Sequence, residues 1–246
     1  MKVIVCDTYE EMSRKAAAIV ADRVRAKPDL VLGLATGSTP LGLYQELARL
    51  CRDEGLDFSR ARTFNLDEYV GLPPDHGQSY RRFMNENLFD HINIDKANTR
   101  VPDGMAADPA AFCAQYEADM KAAGGVDLQV LGIGSNGHIA FNEPGSPADS
   151  RTRVVDLTES TIQDNARFFD SIDDVPTQAI SMGNGTINEA KEIILLANKA
   201  NKADAIAATL EGPITDDVPA SLVREHPNIT FLIEKEAAAG LKGEYA

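Results

Sequence analysis

Short apolar runs alternate along the chain with stretches whose apolar residues recur at helical spacing. Residues 30–35 form an unbroken apolar run bounded by Pro28 and Gly37, the pattern of a strand buried on both faces. A helix is predicted from Pro40 to about Arg52: Thr39 offers a capping hydroxyl, Pro40 suits the first helical position, and Leu41, Tyr44, Leu47 and Ala48 share one face. Further strands are predicted over residues 61–66, 128–133, 153–157, 179–182, 192–197 and 229–233, and further helices over 79–89, 158–169 and 202–210. This alternation predicts a parallel sheet wrapped by helices. No interior stretch rich in Pro, Gly or Ser divides the 246 residues, which therefore read as one domain.

Composition narrows the function classes. Aromatic residues are only 6% and Trp is absent, so the core rests on Leu, Ile, Val and Ala, as in parallel strands under Ala-rich helices. The formal charge is −14, and no basic run is dense enough to neutralise a nucleic-acid backbone. Residues 1–11 lack the long apolar region of a secretory signal, and no run approaches the roughly 18 apolar residues of a membrane span. Cys6, Cys51 and Cys113 are odd in number and widely spaced, the usage of a reducing compartment. A cytoplasmic protein with no nucleic-acid or membrane partner is expected.

Ligands of open parallel sheets gather outside the carboxyl ends of the strands, so the turns there hold the candidate chemistry. In Ala35-Thr36-Gly37-Ser38-Thr39-Pro40, free backbone N–H groups and three hydroxyls form either an anion cradle or an ordinary capped helix start. In Asn65-Leu66-Asp67-Glu68-Tyr69, one of two adjacent carboxylates serves as a general base while the other caps or solvates, or Asp67 is no more than a helix or turn cap. The third turn, residues 132–144, wraps glycines around His138 and places Glu143 five residues later, an imidazole that a carboxylate can tune. His76, His91 and His226 lie in polar or Pro-flanked settings and receive no role. The His, Cys and carboxylate spacings match no metal site, Pro144 interrupts the helix a dinucleotide site requires, and Ser135 and Cys113 lack the setting of a nucleophile.

The motifs Leu32-Gly-Leu-Ala-Thr-Gly-Ser-Thr-Pro40, Phe64-Asn-Leu-Asp-Glu-Tyr-Val-Gly71, Ser79-Tyr80 and Gly132-Ile-Gly-Ser-Asn-Gly-His-Ile-Ala-Phe-Asn-Glu-Pro144 resemble those of the glucosamine-6-phosphate deaminase family. Ser150-Arg-Thr-Arg153, Arg167-Phe-Phe-Asp170 and Gly212-Pro-Ile-Thr215 continue the resemblance over nearly the whole chain. It implies a single-domain three-layer α/β fold with a modified, doubly wound, mostly parallel, Rossmann-like sheet. It also implies conversion of glucosamine 6-phosphate and water into fructose 6-phosphate and ammonia, with no metal or organic cofactor. By this resemblance His138, supported by Glu143 and Asn136, moves the protons that open the sugar ring, and Asp67 carries a proton between C2 and C1. Thr36, Gly37, Ser38 and Thr39 match the family's phosphate loop, Arg167 and Lys202 match its cationic ligands, and a mobile lid is implied within residues 153–182.

Two alternatives accompany this reading. A 6-phosphogluconolactonase shares the fold and a similar phosphate loop, but it needs no base between two carbons. A non-catalytic sugar-phosphate-binding regulator would not need Asp67, His138 and Glu143 together. The hexameric branch of the family uses a Lys where this chain has Val155, and a longer tail, so an allosteric activator is not expected and a monomer or small homo-oligomer is. Asn136 stands where part of the family has Asp.

Overall fold

The computed structural model describes residues 1–166, 169, 171–243 and 245. The chain opens with β1 (Lys2–Cys6) and α1 (Tyr9–Ala26), neither of which is among the predicted elements. The buried positions of α1 include Ala16, Ala17 and Ala21, which give a weak hydrophobic pattern although they pack tightly. Thr8 caps α1 by accepting from the Glu11 N–H. There follow β2 (Val31–Leu34), α2 (Leu41–Glu54), β3 (Arg62–Asn65), β4 (Asp67–Tyr69) and α3 (Tyr80–Met84), the last continued by a π-turn over Asn85–Phe89. Next come β5 (Thr99–Arg100), α4 (Pro109–Ala122), β6 (Leu128–Leu131), β7 (Arg153–Asp156) and α5 (Glu159–Ala166). The chain closes with β8 (Gln178–Ser181), α6 (Asn184–Asn188), β9 (Ile193–Ala197), α7 (Ala203–Glu211) and β10 (Ile229–Glu234).

Among the described residues, seven strands form one sheet in the order β1-β10-β9-β6-β2-β3-β5, with every neighbouring pair parallel. Strand alternation divides the core between its two faces. Leu32, Leu34, Val130, Ile194 and Leu232 pack toward α1 and α2, whereas Val31, Leu131, Ile193, Leu195 and Phe231 pack toward α4 and α7. Each such side chain contributes about 1.5–3 kcal/mol by leaving water, so apolar burial on both faces sustains the three layers. The α/β expectation, a mostly parallel sheet with flanking helices, is the observed fold.

Two predicted strands lie elsewhere than expected. Residues 153–157 and 179–182 supply β7 and β8, which pair antiparallel with each other and, through β8, with β4 in a separate three-stranded sheet. The carboxylate pair predicted in a turn is therefore part of β4. The helix predicted from Pro40 begins at Leu41, and Thr39 does not cap it, because its hydroxyl is engaged elsewhere. The helix predicted over 158–169 is described over Glu159–Ala166.

This topology creates the crevice. From β2 the chain runs outward to β3 and β5, and from β6 it runs the opposite way to β9, β10 and the β1 edge, although β2 and β6 are adjacent. The loops leaving these two strands diverge, the usual ligand position in an open α/β sheet.

Candidate active site

At that switch point lies a cleft of about 420 Å³. Residues 35–39 after β2, Leu66 and Asp67 after β3, segments of 132–141 after β6 and Asn198, Lys199, Asn201 and Lys202 after β9 line it. All four segments follow the carboxyl ends of parallel strands.

The first wall is built by a turn in which Gly37 adopts φ +96, a conformation open to glycine. The Tyr9 hydroxyl lies 3.1 and 3.0 Å from the carbonyl oxygens of Ser38 and Thr39 and accepts the Gly42 N–H at 2.7 Å, fastening the turn to α1. Thr39 Oγ1 donates to Asn198 Oδ1 at 2.7 Å, tying the β2 and β9 loops together. Thr36, Gly37, Ser38 and Thr39 line the cleft together with Lys199 and Lys202. The predicted ligand Arg167 lies outside the described residues.

The two carboxylates of β4 separate cleanly. Glu68 is buried and accepts from the N–H groups of Tyr69, Tyr80 and Arg81 and from Ser79 Oγ, at 2.7 to 3.0 Å, so it caps α3. Asp67 is buried at 7% exposure, lines the cleft, and has no partner for Oδ1 among the described residues. Burial, with the Glu68 charge adding to it, pushes the Asp67 carboxyl up to about 8. A buried, unpartnered group of shifted acidity in a cleft has the character of a proton-transfer group.

His138, in the turn after β6, lines the same cleft as the β2 turn. Its ring lies over Gly134, where an added Cβ would meet the His138 Cε1 and Nδ1 atoms at 2.3 Å, so glycine is required for this close approach. Asn136 Oδ1 lies 2.8 Å from His138 Nδ1, and Asn136 Nδ2 donates to Glu143 Oε2 at 2.7 Å. Glu143 Oε2 is itself 3.7 Å from His138 Nδ1, too far for a direct hydrogen bond but close enough for charge attraction. The adjacent His138 holds the half-buried Glu143 carboxyl down at about 2, with Asn136 and Thr161 donating to it as well. An acceptor on Nδ1 leaves Nε2 to act toward the cleft. Thr161, on the first turn of α5, donates to Glu143 Oε1 at 3.1 Å, and Thr158 Oγ1 accepts the Thr161 N–H at 3.2 Å.

The structure thus gathers Thr36, Gly37, Ser38, Thr39, Asp67, His138 and Lys202 around one cleft, with Asn136 and Glu143 beside the imidazole. Tyr9, Asn198 and Lys199 take part without having been singled out in the sequence. A larger groove of about 930 Å³ beside α4 contains Glu117, Arg151 and Glu189, but these pair with one another, and Thr152 and Thr186 donate to Glu117. Among the described residues, no three His, Cys, Asp or Glu side chains gather as a metal site, and no helix is long and apolar enough to cross a membrane.

Residues 7–231 match the family described as glucosamine-6-phosphate isomerases/6-phosphogluconolactonase. A glucosamine-6-phosphate deaminase of Halothermothrix orenii is 56% identical over 97% of this chain and 99% of its own length. One from Clostridium perfringens is 52% identical over 98% of this chain and 100% of its own. A solved structure of a monomeric glucosamine-6-phosphate deaminase superposes with a TM-score of 0.95 at 49% identity, covering 98% of this chain and 100% of that one. A 6-phosphogluconolactonase of Trypanosoma brucei, at 23% identity and a TM-score of 0.76 over 98% of each chain, shares the fold.

Proposed function

The chain belongs to the glucosamine-6-phosphate isomerase/6-phosphogluconolactonase family, and from that premise we propose that it deaminates glucosamine 6-phosphate, forming fructose 6-phosphate and ammonia from the sugar phosphate and water. One observation carries this reading. The Asp67 carboxyl, whose Oδ1 has no partner among the described residues, lies in the same cleft as His138 and the hydroxyl-rich β2 turn.

The β2 turn and Lys202 bind the phosphate, using N–H groups, hydroxyls and local positive charge within an otherwise acidic protein. Arg167, by the resemblance of its motif, joins them. His138 takes the proton of the C1 hydroxyl and delivers one to the ring oxygen, opening the ring to the aldehyde. Asn136 holds the imidazole by Nδ1, and the Glu143 carboxylate stabilises its charged form. The Asp67 carboxylate then removes the C2 proton; the C2–H electron pair forms the C1–C2 double bond while the C1 oxygen takes up the proton that the substrate ammonium gives up, leaving a neutral enolamine. Returning that proton to C1 gives a C2 iminium, to which water adds before ammonia leaves and the C2 ketone forms. An acidity near 8 suits a group that must both accept and return a proton. The substrate ammonium favours the ionised carboxylate on arrival. A lactonase would leave Asp67 without a task.

A lid within residues 153–182 accords with the contact of α5 through Thr161 to Glu143. The enzyme works without cofactor, as a cytoplasmic monomer or small homo-oligomer and without an allosteric activator. Val155 packs with the apolar cluster of Tyr69, Leu72, Leu157 and Ala179 and offers no cation to a second sugar phosphate.

The test is to measure ammonia and fructose 6-phosphate released from glucosamine 6-phosphate, beside hydrolysis of 6-phosphogluconolactone. Stoichiometric ammonia and ketose are expected. Lactone hydrolysis without ammonia release would replace this reading with the lactonase one.

A further inference from the structure

Lys199, in the loop between β9 and α7, holds φ +74 and ψ 146, a region that glycine enters freely and other side chains resist. Two backbone contacts hold it there. Its N–H donates to Glu234 Oε2 at 2.9 Å, and its carbonyl accepts the Lys202 N–H at 3.1 Å. Glycine would make both bonds without strain, so neither explains a lysine. What the side chain adds is an ammonium at the mouth of the cleft, with Nζ 3.3 Å from Ser38 Oγ on the β2 turn. Both residues are exposed, so the cation stands at the solvent side of the cleft with the Ser38 hydroxyl as its neutral hydrogen-bond partner.

We propose that Lys199 is a phosphate-binding residue of this cleft, its ammonium pairing with the substrate phosphate over Ser38, and that the strained backbone is the cost of placing it there. This rests on the reading of the β2 turn as the phosphate cradle. A phosphate seated on the turn brings its oxygens to the region Ser38 Oγ now borders, where an ammonium gains a charge-assisted hydrogen bond in place of a neutral one.

Three substitutions separate the charge from the strain. Lys199→Met keeps the backbone demand and removes the cation, Lys199→Arg keeps both, and Lys199→Gly removes both. The readouts are KM for glucosamine 6-phosphate, the dissociation constant of inorganic phosphate measured by calorimetry without turnover, and Tm. Lys199→Met and Lys199→Gly are expected to weaken phosphate binding about tenfold and to raise KM alike, the size of one charge-assisted contact. Lys199→Arg should stay within about threefold of wild type, since it retains the charge. Lys199→Gly should melt above Lys199→Met, because only the former relieves the backbone. Phosphate binding by Lys199→Met within twofold of wild type would overturn the proposal, as would an Arg variant as weak as the Met variant. A Gly variant melting no higher than the Met variant would overturn the strain argument. Lys199-dependent phosphate binding in an enzyme that releases no ammonia would sustain this site while refuting the deaminase reading.

Discussion

Asp67 and Glu68 are chain neighbours on one three-residue strand, yet Glu68 accepts four hydrogen bonds whereas Asp67 Oδ1 has no partner among the described residues. Strand alternation sends the two carboxyl groups to opposite sides. One closes the start of α3 and the other faces the cleft, so neighbouring residues of like chemistry divide into a structural and a catalytic candidate.

Asp67→Asn keeps the shape of the side chain and removes its basicity. A fall in kcat of about two to four orders of magnitude is expected, with KM little changed. In the wild type kcat/KM should rise as pH approaches 8, where Asp67 ionises. Steady-state kinetics across pH check both statements, and an Asn variant with wild-type turnover would remove Asp67 from the mechanism.

The same shift bears on stability. The folded-state acidity of Asp67, about 8, lies above its ordinary value of 3.8, so between these limits the folded state binds the extra proton. The stability this contributes is fully present below the ordinary value and is lost as pH rises through about 8. Asp67→Asn does not titrate, and its Tm relative to wild type should therefore increase from pH 5 to pH 8, by at least about 2 °C. Thermal melts at several pH values measure this, and a constant difference would contradict the burial argument.

Glu68→Ala should behave in the opposite way. It strands the Tyr80 N–H and the Ser79 hydroxyl proton, each at a cost of about 1–3 kcal/mol when buried, whereas the Arg81 N–H keeps Ser79 Oγ as acceptor. Tm should fall by roughly 5 °C or more, and Glu68→Gln, which retains one acceptor oxygen, should lose less. Differential scanning calorimetry of the two variants decides whether the cap matters for stability.

Asn136 both accepts at His138 Nδ1 and donates to Glu143. Asn136→Asp retains the acceptor but sets two carboxyl groups face to face at a 2.7 Å contact, so one of them must titrate higher. Activity should persist, and kcat/KM should gain a further break on its acidic side, below the one Asp67 sets. Asn136→Ala should be the slower enzyme, because its imidazole loses the orienting acceptor. A pH-rate profile in which the Ala variant equals wild type would reduce Asn136 to a turn former.

Thr161→Val removes the hydroxyl that links α5 to Glu143. With one donor fewer, Glu143 should titrate above about 2, and kcat should fall several-fold while Thr161→Ser restores it. Amide exchange over 159–166 should quicken in the Val variant alone. Equal kinetics in the Val and Ser variants would show that the contact does not couple the helix to the site.

Strands buried on both faces declare themselves in sequence: β2, β6, β9 and β10 are each recognised from a short apolar run. Glycines beside a histidine, and hydroxyls after a strand, likewise mark the turns of the site, since each requires special backbone or side-chain chemistry. The helix α1 escapes notice because alanine fills so many of its buried positions. The strand β4 reads as a turn because two of its three residues are carboxylates, and only antiparallel pairing of Asp67 with Ser181 and Glu68 with Ile180 makes it a strand. Tertiary structure also decides which carboxylate is left unpartnered, that Tyr9 fastens the β2 turn from 29 residues away, and that Lys199 reaches Ser38 across 161. Periodicity records what each segment must bury, whereas hydrogen bonding and charge depend on which distant segments meet, and that is set by the order of the strands in the sheet.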